Sequence, residues 1–281
     1  VTGLTAGPGH APSATIIADR LTAFASIDLD DLVARAGLLT RVDRKYVLPL
    51  HHLDAVLGEL AHTTDAEVLQ IDGLRDFGYE SVYFDTPELD SYWLAARGRR
   101  RRFKIRTRTY VDTAEAYLEV KTRGGRSATV KDRIDYEIED RRRLTPAGLD
   151  YTSEVFGQTG IDGIEPARLA PALTTRYHRA TLFIPNSASR ATIDTQLEWI
   201  RADGHRIARP AMAIVETKSG HQAGEVDRLL WRHGHRPATI SKYGTGMAAL
   251  SPQLSANKWG RVLTRDFDRL GRPTRYMTQQ A

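Results

Sequence analysis

The chain has 281 residues, 41% of them hydrophobic and 27% charged, with a formal net charge of +5 and no cysteine. That composition describes a globular protein with enough chain to bury a large core. It excludes disulfides and thiolate metal sites. The lack of an apolar run of about 18 residues excludes a transmembrane helix. No basic segment followed by an apolar stretch opens the chain, so no signal peptide is expected, and the cytoplasm is the expected compartment.

Residues 1–20 are rich in Gly, Ala, Pro, Ser and Thr, and a flexible tail is expected over 1–25. Asp28 to Leu38 reads as a short amphipathic helix, and Thr40–Leu48 as a strand that puts Arg41, Asp43 and Lys45 on one face. Leu53, Val56, Leu57 and Leu60 recur at helical spacing across His51–Ala61. Tyr79–Asp85 is a β-branched and aromatic strand stopped before Pro87, and Glu88–Ala96 reads as helix.

From Arg102 the cations fall at every second position, Arg102, Lys104, Arg106 and Arg108, with Phe103, Ile105, Thr107 and Thr109 between them. A strand turns alternate residues to opposite faces, so this period sets four cations in a row. A helix would scatter them. A hairpin loop at 111–115 leads to a second strand, 116–123, carrying Glu119 and Lys121. Across a Gly124-Gly125 turn, Thr129–Asp140 is a third strand with Lys131, Arg133, Asp135, Glu137 and Glu139 on one face. Residues 141–172 read as helix and loop broken by Pro146, Gly163 and Pro166. Strands are expected again at 174–184, 190–199 and 211–219, then a helix over Glu225–His233 ended by Gly234. A further helix is expected around 258–269, within a C-terminal extension over 253–281.

Residues 97–126 hold eleven basic side chains and three acidic ones. The excess is local, which points to an anionic partner at one place. The eight strands mostly carry charges on one face and packing residues on the other. The fold class expected is α+β. A closed eight-stranded antiparallel barrel would have a polar lumen and an apolar outside covered by helices, and would be wide enough for one small ligand. Arginine forks and lysine ammonium groups match phosphate oxygens, and carboxylates suit hard divalent cations that bridge phosphates. Glu119/Lys121 and Glu216/Lys218 repeat this pairing on separate strands. Phosphoryl transfer between positioned phosphates needs no protein nucleophile, and no nucleophile constellation or Gly-rich phosphate loop is present.

Several of these segments, in this order, resemble the catalytic domain of vacuolar transporter chaperone proteins, a branch of the triphosphate tunnel metalloenzymes. They are Thr40–Tyr46, Ser81–Thr86 with Tyr92, Lys104–Tyr110, Glu119-Val120-Lys121, Tyr177-His178-Arg179, Arg190–Asp194, Val215–Lys218 and Ser241-Lys242-Tyr243. The resemblance spans residues 38–250 within an expected domain over 26–252. It implies a barrel that binds ATP or inorganic polyphosphate and extends polyphosphate from ATP with Mn²⁺ or Mg²⁺. It also implies that Lys45, Arg106, Arg108, Lys121, Arg179, Lys218 and Lys242 face phosphate and that Glu216 holds the metal. Arg106, Arg108, Lys121 and Lys242 are the expected catalytic cations. Lys104, Arg133 and Arg190 join the phosphate-binding candidates from their strand faces, and Glu119 is a second metal candidate. A family lysine just before Lys242 is replaced by Thr239, and the membrane helices and phosphate-sensing domain of the eukaryotic complexes have no counterpart. A membrane partner, the oligomeric state, and the choice between polymerase and triphosphatase or polyphosphatase stay open.

Plainer roles stand beside these. Glu119 could neutralise Lys121 or Arg106. Asp194 is expected to pair with Arg190. Asp135, Glu137 and Glu139 could form a solvated edge. Tyr83, Phe84, Tyr92 and Trp93 are expected in the core, and His51, His52, His233 and His235 on the surface. Arg99–Arg101 are expected to be solvated. A non-enzymatic nucleic-acid module using the arginine run is a third reading, but the basic strands lack the interleaved exposed aromatics of a single-strand platform, and no specific nucleic acid is expected.

Overall fold

Alternating charged and apolar residues need one face against water and one against a core, and here helices cover the apolar face. The computed structural model describes residues 14–36, 42–123 and 129–267. In chain order these form α1 (Ala14–Leu21), β1 (Ala25–Ile27), α2 (Leu29–Arg35), β2 (Val42–Pro49), α3 (Leu50–Thr63) and β3 (Glu67–Leu69). Next come β4 (Phe77–Asp85), α4 (Asp90–Ala96), β5 (Arg102–Tyr110), β6 (Glu115–Arg123), β7 (Thr129–Tyr136) and α5 (Pro146–Thr159). The last group is β8 (Ala170–Ile184), β9 (Ser189–Arg201), β10 (Arg206–Arg209), β11 (Met212–Ser219), α6 (Glu225–Arg232), α7 (Lys242–Leu250) and α8 (Gly260–Val262).

The strands form one sheet in the order β2-β11-β9-β8-β4-β5-β6-β7, and every step along this path is antiparallel. The large antiparallel sheet and its helices agree with the α+β expectation. The closed ring does not: β2 and β7 end the path, and no ladder joins them among the described residues. The sheet nevertheless curls far enough to bring its two ends into electrostatic range. Lys121 on β6 has Lys45 and Asp43 of β2 and Glu216 of β11 among its charged neighbours.

On the convex face, α1, α3 and α6 bury Leu21, Leu53, Leu57, Leu60 and Leu229 against Tyr46, Leu48, Ala213, Val215, Ile193 and Leu182. Each fully buried Leu, Ile or Val contributes about 1.5–3 kcal/mol. Further along, α5 packs Val155 and Phe156 over Val82, Phe84, Phe103, Ile105, Leu118 and Val120. A third cluster fills one end of the concave face. There α4, α7 and the α8 region set Tyr92, Tyr243, Met247, Trp259, Val262 and Phe267 against Tyr83, Leu173, Leu197, Trp199 and Ile214.

Several expected boundaries move, each for a visible reason. The expected tail contains α1, because Ile17 and Leu21 find a core beside α3. The strand expected over 129–140 ends at Tyr136. Its hydroxyl accepts the Thr145 amide hydrogen at 2.7 Å and turns the chain back toward α5. Pro146 starts that helix rather than breaking it, in the first turn where no amide hydrogen is needed, with Thr145 as the cap. The helix expected around 258–269 is a single turn, α8, followed by a π-turn over Leu263–Phe267; residues 268 and 269 lie outside the described residues, as do Arg41 and the Gly124-Gly125 turn. The short strands β1, β3 and β10 have too few residues to show a period. Gly234 takes the left-handed conformation (φ +81°) just past α6, as its position suggests.

Candidate functional site: a basic concave face

Residues directly opposite in an antiparallel pair share a face, so the registers alone collect the site. Lys45 lies opposite Glu216, and Glu216 opposite Thr192. Arg190 is opposite Lys218, and Arg179 opposite Asp194. Tyr79 faces Tyr177, and Tyr83 faces Arg106. Arg106 is opposite Glu119, Lys104 opposite Lys121, and Glu119 opposite Arg133. Every strand-borne candidate therefore belongs to the concave face. Lys242 arrives from the first turn of α7, whose cap is Ser241.

The carboxylates divide these cations into groups. Glu119 is buried, and its Oε2 accepts from Arg106 Nε at 2.9 Å and Nη2 at 2.7 Å. Its Oε1 lies 3.4 Å from Arg108 Nη1. Arg106 also donates to the Tyr83 hydroxyl at 3.1 Å. Burial opposes the charge on Arg106, yet Tyr83 and Glu119 hold its pKa above the ordinary value. Glu119 thus acts as the arginines' counter-charge, the plainer of its two expected roles.

Asp194 forms the second group. Arg179 grips it with Nε at 2.6 Å and Nη2 at 2.9 Å, and the Lys242 ammonium donates to the same carboxylate. Burial works against ionisation of Asp194, but Arg179 and Lys242 keep its pKa below the ordinary value. The carboxylate is thus held by Arg179 and Lys242, two cations beside the Arg190 that the sequence suggests as its partner. The rings of Tyr79 and Tyr177 stack at 5.3 Å, and Arg179 and Lys242 lie over Tyr177 at 5.2 and 4.1 Å. Among the described residues the buried Tyr177 hydroxyl has no hydrogen-bond partner.

Glu216 forms the third group. Lys218 donates to it at 2.5 Å, and the Lys45 ammonium lies 3.4 Å away. Burial again opposes its charge, and the two lysines outweigh it, so the carboxyl stays well below the usual range. Lys218 also reaches Asp43 at 3.4 Å.

Lys104 and Lys121 stand apart. Lys104 donates to Ser241 Oγ at 3.1 Å. Burial, with Arg106, Lys121, Lys45 and Lys258 nearby, pushes its pKa down to about 7. Lys121 is lowered chiefly by burial and then by Lys45, although its side chain remains solvent-accessible. A residue on the wall of a solvent-accessible concave face has both properties. Arg133 is exposed on the edge strand, with its guanidinium 4.6 Å from the Tyr117 ring. Arg99–Arg101 are exposed, and Asp135, Glu137 and Glu139 form a solvated edge. Tyr83, Phe84 and Tyr92 are buried, with Trp93 partly so.

Residues 40–251 match the family model of the VTC domain. The chain belongs to the VTC domain family. No curated protein matches this VTC domain. Among solved structures, it is similar to a proposed adenylate cyclase from Vibrio parahaemolyticus at 13% identity and TM-score 0.42, covering 74% of this chain and 98% of that one. It is also similar to a proposed adenylyl cyclase from Hippeastrum with a dominant triphosphatase activity, at 14% identity and TM-score 0.45, covering 74% and 96% of the two chains. A proposed adenylate cyclase from Bacillus halodurans matches at 11% identity and TM-score 0.46, covering 72% and 94%.

Among the described residues of this VTC domain, no three His, Asp or Glu side chains gather to hold a metal by themselves. The donor set fits a cation that arrives with its phosphates. Glu216 stays ionised at the edge of the basic wall, and Mg²⁺-type ions are commonly held by one or two carboxylates plus substrate oxygens. Among the described residues no helix is long and apolar enough to cross a membrane.

Ser241, Tyr177 and Asp194 stand in segments that carry the resemblance, but the sequence did not reveal the Ser241–Lys104 hydrogen bond, the Tyr79–Tyr177 stack or the Asp194 grip.

Proposed function

We propose that this VTC domain is a polyphosphate polymerase that transfers the γ-phosphate of ATP to a growing inorganic polyphosphate chain, in the cytoplasm. The observation that carries the reading is the set of cations from β2, β5, β6, β8 and β11, with Lys242 of α7, turned toward one concave face. A single phosphate would engage a few of these groups, whereas a condensed chain can engage them all.

In the proposed reaction, a terminal oxygen of the acceptor chain attacks the γ-phosphorus in line. A new P–O–P bond forms, the β–γ bridging bond breaks, and ADP leaves with the bridging oxygen. Arg106, Arg108, Arg179 and Lys242 are fixed by Glu119 and Asp194, so they are aimed before substrate arrives and stabilise charge spreading over the transferred group. Glu216, with Lys45 and Lys218 beside it, would hold Mn²⁺ or Mg²⁺. That ion would offset charge on the bridging phosphates. Lys104, Lys121, Arg133 and Arg190 would line the path of the chain.

The test is product analysis after incubation with ATP and Mn²⁺. The proposal expects ADP together with phosphate chains resolved by length. Orthophosphate as the only phosphate product would place the domain among triphosphatases or polyphosphatases, and failure to bind ATP or polyphosphate would end both readings.

A further inference from the structure

One row beyond Lys104 and Lys121, Arg102 of β5 stands directly opposite Arg123 of β6. Alternation puts this pair on the same face, about 7 Å further along the strands. Lys258 joins them from the segment between α7 and α8, beyond the matched stretch that ends at residue 251. Its ammonium donates to the Ala95 carbonyl of α4 at 2.6 Å. The neighbouring Trp259 is buried against Tyr92, with its ring pressed on the backbone of Gly244, where a Cβ would meet it at 2.2 Å. Lys258 is therefore held in place by the core.

Arg102 and Arg123 are charged neighbours of its ammonium, and it is in turn a charged neighbour of Lys104. Among the described residues no carboxylate forms an ion pair with Arg102, Arg123, Lys258, Lys104 or Lys121. Elsewhere on the concave face Glu119, Asp194 and Glu216 supply counter-charges. With only Glu216 and Asp43 acting on it from the Lys121 end, such a run of cations within one Debye length repels itself until a polyanion lies along it.

We propose that Arg102, Arg123 and Lys258 form an outer phosphate-binding station that holds the polyphosphate chain where it leaves the Lys104–Lys121 row. This rests on the polyphosphate reading above and adds to it a chain-length requirement. From the Arg106 row to the Arg102 row is about 14 Å of strand. A triphosphate seated at Arg106 does not span that distance, and a long chain does. The station acts on long chains alone.

The test compares wild type with Lys258→Gln and with Lys258→Gln/Arg123→Gln, each first checked for an unchanged melting temperature. Dissociation constants are measured for inorganic triphosphate and for long-chain inorganic polyphosphate over a series of salt concentrations. Triphosphate affinity should stay within about twofold, while long-chain affinity drops about fivefold or more and its salt slope falls by about one per cation removed. Products made from ATP should also be shorter at equal turnover. Equal shifts for both ligands, or none for either, would overturn the station while leaving the polymerase reading intact. Loss of RNA binding with unchanged polyphosphate binding would also overturn it. Wild type that binds neither phosphate ligand would instead refute the underlying reading.

Discussion

Lys104 offers the sharpest test of the electrostatics. Its ammonium is crowded by Arg106, Lys121, Lys45 and Lys258, and it donates to a neutral hydroxyl, Ser241 Oγ. A lysine moved from 10.5 to about 7 disfavours its charged form by on the order of 3–5 kcal/mol, less whatever solvent in the channel recovers. Lys104→Met removes that penalty and gives up one hydrogen bond worth about 1 kcal/mol. The variant should therefore be more stable than wild type by about 1–3 kcal/mol at pH ~6, a rise of roughly 3–10 °C in melting temperature. The sign follows from proton binding: between the folded value near 7 and the unfolded 10.5, the unfolded chain holds more protons at this site. Wild type thus gains about 1.4 kcal/mol per pH unit above 7 from this group, and the gap should close by pH ~9. Scanning fluorimetry without phosphate at several pH values reads both effects. A variant less stable at pH ~6, or a gap indifferent to pH, would show that Lys104 is not confined among cations.

Other substitutions probe the fixed groups. Arg106→Ala leaves the buried Glu119 with Arg108 at 3.4 Å and should destabilise by about 2–4 kcal/mol in denaturant titrations. Arg106→Lys should cost less, yet both should cut turnover about 100-fold, because the paired donors are lost. In Gly246→Ala the new Cβ would meet Trp199 at 2.2 Å, so a loss of about 1–3 kcal/mol is expected, with weakened triphosphate binding as the Lys242 turn shifts. Glu216 has a depressed folded pKa, so its stabilisation is present above the ordinary value of 4.5 and is lost as pH falls below it. Glu216→Gln should flatten that acid limb in thermal melts and raise the Mn²⁺ concentration for half-maximal turnover about tenfold.

The charged faces were legible because strand period and charge coincide. Once Arg102, Lys104, Arg106 and Arg108 alternate with packing residues, their shared face follows from geometry alone. The inverted arrangement, with charges inside and helices outside, was legible from the same repetition on strand after strand. Pairing across the concave face was not. Asp194 meets Arg179 and Lys242 because β8 lies beside β9 and α7 enters that end of the curl, and no local pattern encodes this placement. The α7 helix itself was hidden, since Gly244 and Gly246 argue against a helix until the Trp259 and Trp199 rings they accommodate are in view. Lys258 was unreadable for the same reason: its position depends on Trp259 reaching Tyr92.

If phosphate lies along the concave face, a crystal structure with bound inorganic triphosphate should show phosphate density within hydrogen-bond reach of Lys45, Arg106, Arg179 and Lys242. Density confined to the exposed Arg99–Arg101 run, with the concave face holding none, would contradict it.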